Sequence, residues 1–193
     1  MQNLKNTGIA LLLIIILAAI GIYFMPNHYS ISNSIVINKP ISEVYAQLSD
    51  FNKWAQWDPW KEKEPEASRS VEGPANTKGH KMSWEGKKIG TGSLTLNWSS
   101  QNKSINNDLA IVKPYPFSGK DIWSLEADGD KTKVTWTNSG GLSYPMGRVS
   151  GSMVDKVINE QQKHGLDNLK KYCELLPAAV ASNDTATNGD KPM

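Results

Sequence analysis

The chain has 193 residues, 21 basic and 19 acidic side chains, and a formal net charge of +2. That near balance gives no electrostatic footprint for nucleic acid, and no basic cluster stands out. The length allows one domain plus extras, and the single cysteine, Cys173, excludes an internal disulfide.

Residues 1–8 are short and mostly polar, with Lys5 the only charged side chain. Ile9 to Met25 is then an almost unbroken apolar run. As a helix this run reaches about 25 Å, slightly short of a ~30 Å hydrocarbon core, and uncharged neighbours make up the difference. A cleaved signal peptide has a shorter apolar region, about 7–15 residues, before a small-x-small site. The one loose match, Ala19-Ile20-Gly21, would leave apolar Ile22-Tyr23-Phe24 as a new terminus. The expectation is an uncleaved signal anchor over residues 9–25, with Tyr23 and Phe24 near the far interface. Lys5 favours a cytoplasmic amino end, so the folded part is expected on the extracytoplasmic side, which is the periplasm if the cell is Gram-negative. No cysteine near this run offers a lipoprotein-type anchor.

Pro26–Ser30 is a short connector, which keeps the domain close to the membrane surface. Ile31–Asn38 alternates apolar and polar residues and predicts a first strand. Pro40–Asp50 predicts a helix: Pro40 suits a first turn, and Ile41, Val44, Tyr45 and Leu48 follow helical spacing. Trp54, Trp57 and Trp60 recur at three-residue steps in a turn broken by Pro59, either capping a core or rimming a pocket. Lys61–Glu66 is a charged surface loop.

From Ala67 to Asn138 the period changes to two. The predicted strands are Ala67–Glu72, Lys78–Glu85, Gly92–Ser100, Ser104–Val112, Asp121–Ala127 and Lys131–Asn138, separated by glycine, proline and asparagine turn signals. Their inward sets are Met82 and Trp84; Leu94, Leu96 and Trp98; Leu109 and Ile111; Trp123 and Leu125; Val134 and Trp136. His80 shares a face with Met82 and Trp84. The alternate residues are mostly polar, which suits an antiparallel sheet with one solvated face.

Gly151–Leu176 predicts a long helix, stopped by Pro177. Met153, Val157, Gln161, His164, Leu169, Tyr172 and Leu176 fall roughly on one face. Gln161, His164 and Gly165 are poor core formers, and Gly165 costs about 1 kcal/mol against Ala in a helix interior. A close approach or a cavity beside them is expected. The tail, 177–193, is small and polar and is expected to be disordered.

The predicted class is α+β, with a curved seven-stranded antiparallel sheet whose concave face only the long helix can cover. Any space left between them is an apolar pocket with a few polar groups, the usual character of a small-molecule site.

The order of elements, the stretch Pro40–Trp60 with Val44, Leu48, Asp50, Trp54, Trp57, Pro59 and Trp60, and the late Gly165-Leu-Asp-Asn-Leu-Lys170 resemble the START-like, helix-grip superfamily. The similarity is greatest to its polyketide cyclase/dehydrase and lipid-transport branch and covers about residues 31–176. It implies a helix-grip fold with a deep cavity holding hydrophobic or amphipathic molecules. It implies no single activity and no shared catalytic motif.

Searches for catalytic chemistry mostly fail. The three histidines, His28, His80 and His164, have no metal-ligand spacing with Cys173 or a carboxylate, so no metal is expected. There is no Gly-x-Ser-x-Gly elbow and no P-loop, and no cofactor is expected. Gly86–Gly92 reads as a hairpin. Cys173 reads as a small core residue. One acid/base candidate remains: His80 and His164, with Glu160 one turn before the latter. The expected ligand-binding set is Met82, Trp84, Leu96, Trp98, Trp123, Trp136, Met153, Val157, Gln161 and His164. The expected function is a membrane-anchored binding module for a hydrophobic or lipid-like molecule. The alternatives are a cyclase/dehydratase-type enzyme, or a protein-interaction domain whose cavity is filled by its own tryptophans.

Overall fold

A computed structural model describes residues 2–114 and 116–177, with side chains from residue 6 onward. The expected disorder of the tail beyond Pro177 lies outside the described residues. The first helix, α1 (Gln2–Tyr23), leaves its apolar side chains almost entirely exposed. Its Asn6–Tyr23 segment is long and apolar enough to cross a membrane.

The domain after it runs β1 (His28–Ile37), α2 (Ile41–Leu48), α3 (Phe51–Trp54), α4 (Pro59–Lys63), β2 (Ser68–Glu72), β3 (Lys81–Glu85), β4 (Thr91–Ser100), β5 (Ser104–Lys113), β6 (Phe117–Asp128), β7 (Lys131–Gly141) and α5 (Met146–Leu175). The strands form one seven-stranded sheet in the order β1-β7-β6-β5-β4-β3-β2, with every neighbour antiparallel. This is the expected helix-grip arrangement, a sheet wrapped around the last helix.

Two elements extend beyond their predicted bounds because glycines that read as turns sit inside strands. Gly119 lies in β6, where a Cβ would come within 2.4 Å of the Ser139 carbonyl oxygen on β7. Gly140 lies in β7 beneath the Tyr29 ring, with 3.0 Å between a built Cβ and that ring. In both places a bare backbone permits the close approach, and the strand continues. The long helix likewise begins at Met146, because Gly147 and Gly151 pack against Leu142.

The register divides the domain into two ends. The start of β1 pairs with the end of β7 (His28 with Gly141), Phe117 pairs with Ile111, and Thr91 pairs with both Lys113 and Glu85. The 86–90 turn, Pro114 and the start of β6 therefore lie at the same end of the sheet as the exit of α1. The other end is solid. There Ile37, Val44, Leu48, Leu125, Val134, Leu169 and Cys173 are buried in one cluster between sheet, α2 and the second half of α5.

α3 and α4 are short and are held by their caps. The Asp50 and Asp58 side chains accept from the backbone N–H of Asn52 and Trp60. This places Trp54 and Trp57 against Trp123, each 5.7 Å away between ring centroids, and Trp123 stacks on Trp136 at 4.3 Å. All four belong to the buried core cluster, and Trp54 and Trp136 also face the space at the α1 end.

Candidate ligand-binding cavity

That space is a cavity of about 420 Å³ between the first half of α5 and the α1-proximal half of the sheet. Met82 and Trp84 of β3, Leu94 of β4, and Leu109 and Ile111 of β5 form its sheet side. Val154, Val157 and Ile158 of α5 form its roof. The sheet wall follows from alternation: in β4, Gly92, Leu94 and Leu96 are buried while Thr91, Ser93 and Thr95 are partly exposed. Gly92 has a specific task, because a Cβ there would meet the Trp84 ring at 2.6 Å. Its absence lets the indole lie across the strand.

Glu64 fixes the loop that supplies Ile89 to the cavity. Its carboxylate accepts from the backbone N–H of Lys87, Lys88 and Ile89 at 2.8, 2.8 and 3.0 Å. Burial works against the charge, but these three donors hold the Glu64 carboxyl below its ordinary range.

Buried polar groups interrupt the apolar lining at three places. Asp121 is fully buried and accepts from Trp123 Nε1 (2.9 Å), Trp136 Nε1 (2.6 Å), Asn138 Nδ2 (3.3 Å) and Asn107 Nδ2 (3.4 Å). All four partners are neutral. Burial pushes its pKa up, against the lowering effect of those donors. One carboxylate thus pins both stacked indoles and sets the plane of Trp136 as a cavity wall.

Tyr29 extends this group by donating to Asn138 Oδ1 at 2.8 Å. Its own pKa is pushed up to about 12, chiefly by burial and then by the charges of Asp121 and Asp155.

The second polar group is Asp58, which accepts from Arg69 Nη1 at 2.7 Å. Burial raises the Asp58 pKa although the guanidinium opposes it. The third is Gln162, whose Oε1 accepts from Asn33 Nδ2 at 2.8 Å.

The chain's residues 28–174 match the family described as polyketide cyclase / dehydrase and lipid transport. The chain belongs to this family. Its fold is shared with a START superfamily protein from Mycobacterium smegmatis (18% identity, TM-score 0.58, covering 77% of this chain and 99% of that one). It is also shared with CalU16 from Micromonospora echinospora (14% identity, TM-score 0.52, 76% of each chain). The Aha1 dimer from Colwellia psychrerythraea has the same fold as well (16% identity, TM-score 0.54, 76% of this chain and 97% of that one). No curated protein matches the chain in sequence.

Within this polyketide cyclase-family domain, six of the residues expected to bind ligand line the cavity: Met82, Trp84, Trp136, Met153, Val157 and Gln161. Leu96 and Trp123 lie behind the lining in the core. Trp98 points away and is 57% exposed. The cause is a register shift between Leu96 and Trp98, where one residue extra in β4 reverses the in–out alternation.

His164 is also outside the cavity. The face of α5 against the sheet runs through Gln162, Gly165, Leu166, Leu169 and Cys173. His164 lies about 200° around the helix from Gln162 and pairs with Glu62 at 2.6 Å on the surface. Glu160 is exposed.

His80 is fully buried but does not reach the cavity. Its Nε2 accepts from the Phe51 backbone N–H at 3.0 Å, and Nδ1 faces the carbonyls of Gly73 and Glu72 at 3.0 and 3.1 Å. Accepting at Nε2 leaves the ring proton on Nδ1, so both nitrogens are engaged by backbone. His80, His164 and Glu160 are therefore not brought together at the cavity. Among the described residues, no cluster of three His, Cys, Asp or Glu side chains is placed to hold a metal ion.

Sequence reasoning missed Asp58, Arg69, Asp121 and Gln162. Signals existed for two of them. Asp121 keeps inward register with Trp123 and Leu125, and Arg69 keeps it with Val71, so each is a charge on the buried parity of a strand.

Proposed function

We propose that the chain is a membrane-anchored binding protein that holds one hydrophobic or lipid-like small molecule between the sheet and α5. The observation that carries this reading is the cavity of about 420 Å³, bounded mainly by Trp, Leu, Ile, Val and Met side chains. Apolar walls with a few fixed polar groups are the usual make-up of a small-molecule site. At ~30 Å³ per water-sized group, the volume takes about 14 such groups, the scale of one acyl chain or a small fused-ring compound. Burial of each methylene contributes about 0.8 kcal/mol, so length and shape set affinity while the polar groups orient the ligand. The family membership supports ligand binding in general, and the α1 span motivates the anchor.

The test uses the full chain in nanodiscs, titrated with 11-bromoundecanoic acid. Bromine quenches indole on contact, α1 contains no tryptophan, and Trp54, Trp84 and Trp136 line the cavity. The reading predicts saturable quenching, lost when Val157→Phe and Leu109→Phe together fill the cavity. Quenching that never saturates, or that is equal in the filled variant, counts against it.

A further inference from the structure

The domain's exposed apolar side chains are not scattered. Outside α1 and the connector, the described large apolar residues that are exposed are Val36, Trp98, Val112, Tyr144, Met146, Val149, Met153 and Leu175. Five of these eight, Val112, Tyr144, Met146, Val149 and Met153, lie at the α1 end or on the first two turns of α5. Met146, Val149 and Met153 follow the three- and four-residue steps of one helical face. Met153 is 70% exposed yet also lines the cavity, so this face forms its rim together with Lys113, Pro114 and Phe117.

The same face is tied to α1. The Tyr144 hydroxyl donates to the Ala19 carbonyl at 3.2 Å. The Arg148 guanidinium donates to the Tyr23 carbonyl and lies 5.5 Å from the centre of the Tyr23 ring.

These contacts fix a depth. α1 has 22 residues and reaches about 33 Å, close to a ~30 Å hydrocarbon core. It therefore uses nearly its whole length to cross, which puts Tyr23, its last residue, near the hydrocarbon boundary. Ala19 then lies about 6 Å deeper. Tyr144, bonded to Ala19, and Arg148, bonded to Tyr23, are held in the interfacial layer, where amphipathic side chains of these types settle. Interfacial helices sink an apolar face about 5–10 Å, which brings Met146 and Val149 into contact with acyl chains. Lys113 and Arg148 beside them suit lipid phosphates.

We propose that this end of the domain docks on the bilayer that holds α1, and that the cavity opens through the docked face. A ligand then passes between lipid and cavity without crossing water. The inference rests on α1 as a span and on the cavity as a ligand site.

Nitroxide labels on Val149→Cys and Met153→Cys test it in the full chain, in phosphatidylcholine vesicles with a minority of phosphatidylglycerol. Lys131→Cys, in the turn at the opposite end of the sheet, is the control, and the buried Cys173 stays unlabelled. Collisions with a water-soluble nickel chelate should fall about fivefold or more at 149 and 153 relative to 131, with oxygen collisions raised, as for a face sunk into acyl chains. Equal access at all three sites in protein that floats with the vesicles overturns the docking and leaves the anchor standing. Protein that does not float overturns both. Shielding accompanied by spin–spin broadening that vanishes on dilution with unlabelled chain assigns the face to a second copy, and also overturns the docking.

Discussion

His80→Ala separates a structural histidine from a catalytic one. The substitution removes the acceptor for the buried Phe51 N–H, and an orphaned buried donor costs about 1–3 kcal/mol. It also removes the donor to the Gly73 and Glu72 carbonyls, about 1 kcal/mol more. The imidazole stacks on Phe51 with centroids 4.8 Å apart, and the void it leaves adds about 1 kcal/mol. The expected loss is therefore about 4 kcal/mol. For a chain of this size that lowers Tm by about 8–16 °C. Urea unfolding of the full chain in micelles, followed by tryptophan fluorescence, reads it directly. Quenching by 11-bromoundecanoic acid should persist at temperatures where the variant is folded. A loss under about 1 kcal/mol together with abolished quenching would return His80 to the site and refute the reasoning.

Arg69→Met leaves Asp58 buried without its partner and should cost about 3 kcal/mol at neutral pH. Burial already raises the Asp58 pKa, so the folded state holds that proton more tightly than the unfolded chain. Stability from this group is present below about pH 4 and is lost as pH rises through the folded value. The deficit of Arg69→Met should therefore grow upward from pH 4, and a flat difference between pH 4 and 7 would contradict the pairing. Tyr29, pushed up to about 12, makes the wild type lose stability from pH 10 upward relative to Tyr29→Phe, by about 1.4 kcal/mol at pH 11. Parallel unfolding curves at pH 9 and 11 would count against its burial beside Asp121. Gly165→Ala gains about 1 kcal/mol of helix propensity, but its Cβ would sit 3.0 Å from the rings of Pro59 and Trp136. Overpacking of about 1–3 kcal/mol wins, giving a net loss of about 1 kcal/mol in urea; a stabilised variant would show that α5 has room to move.

Much of the fold was legible because its two periodicities are clean. The strands from residue 67 to 138 alternate, and the final helix ends at a proline. Gly165 was read as a sign of close approach or cavity, and its approach to Pro59 and Trp136 bears this out. What failed did so for local reasons. A one-residue shift in β4 turned Trp98 outward, which no pattern of alternating residues announces. The face of α5 was misread by about one residue, a quarter of a turn, because Gln162 and Gly165 do not look like core residues. Gly119 and Gly140 read as turns because, in sequence, a glycine that loosens a chain and one that lets two backbones close up look alike. The polar lining was hardest to see: Asp121 is intelligible only once its register with two indole donors is known, since a buried carboxylate persists where several hydrogen bonds converge on it.

Native mass spectrometry of the full chain, purified in mild detergent, tests ligand binding most directly when wild type is compared with the variant carrying Val157→Phe and Leu109→Phe. Lipids held only by α1 will appear on both proteins. The account predicts one additional hydrophobic molecule per chain on the wild type, absent from the filled variant. Identical adducts on the two proteins, with no difference in melting temperature across a panel of lipids and aromatic compounds, would contradict it.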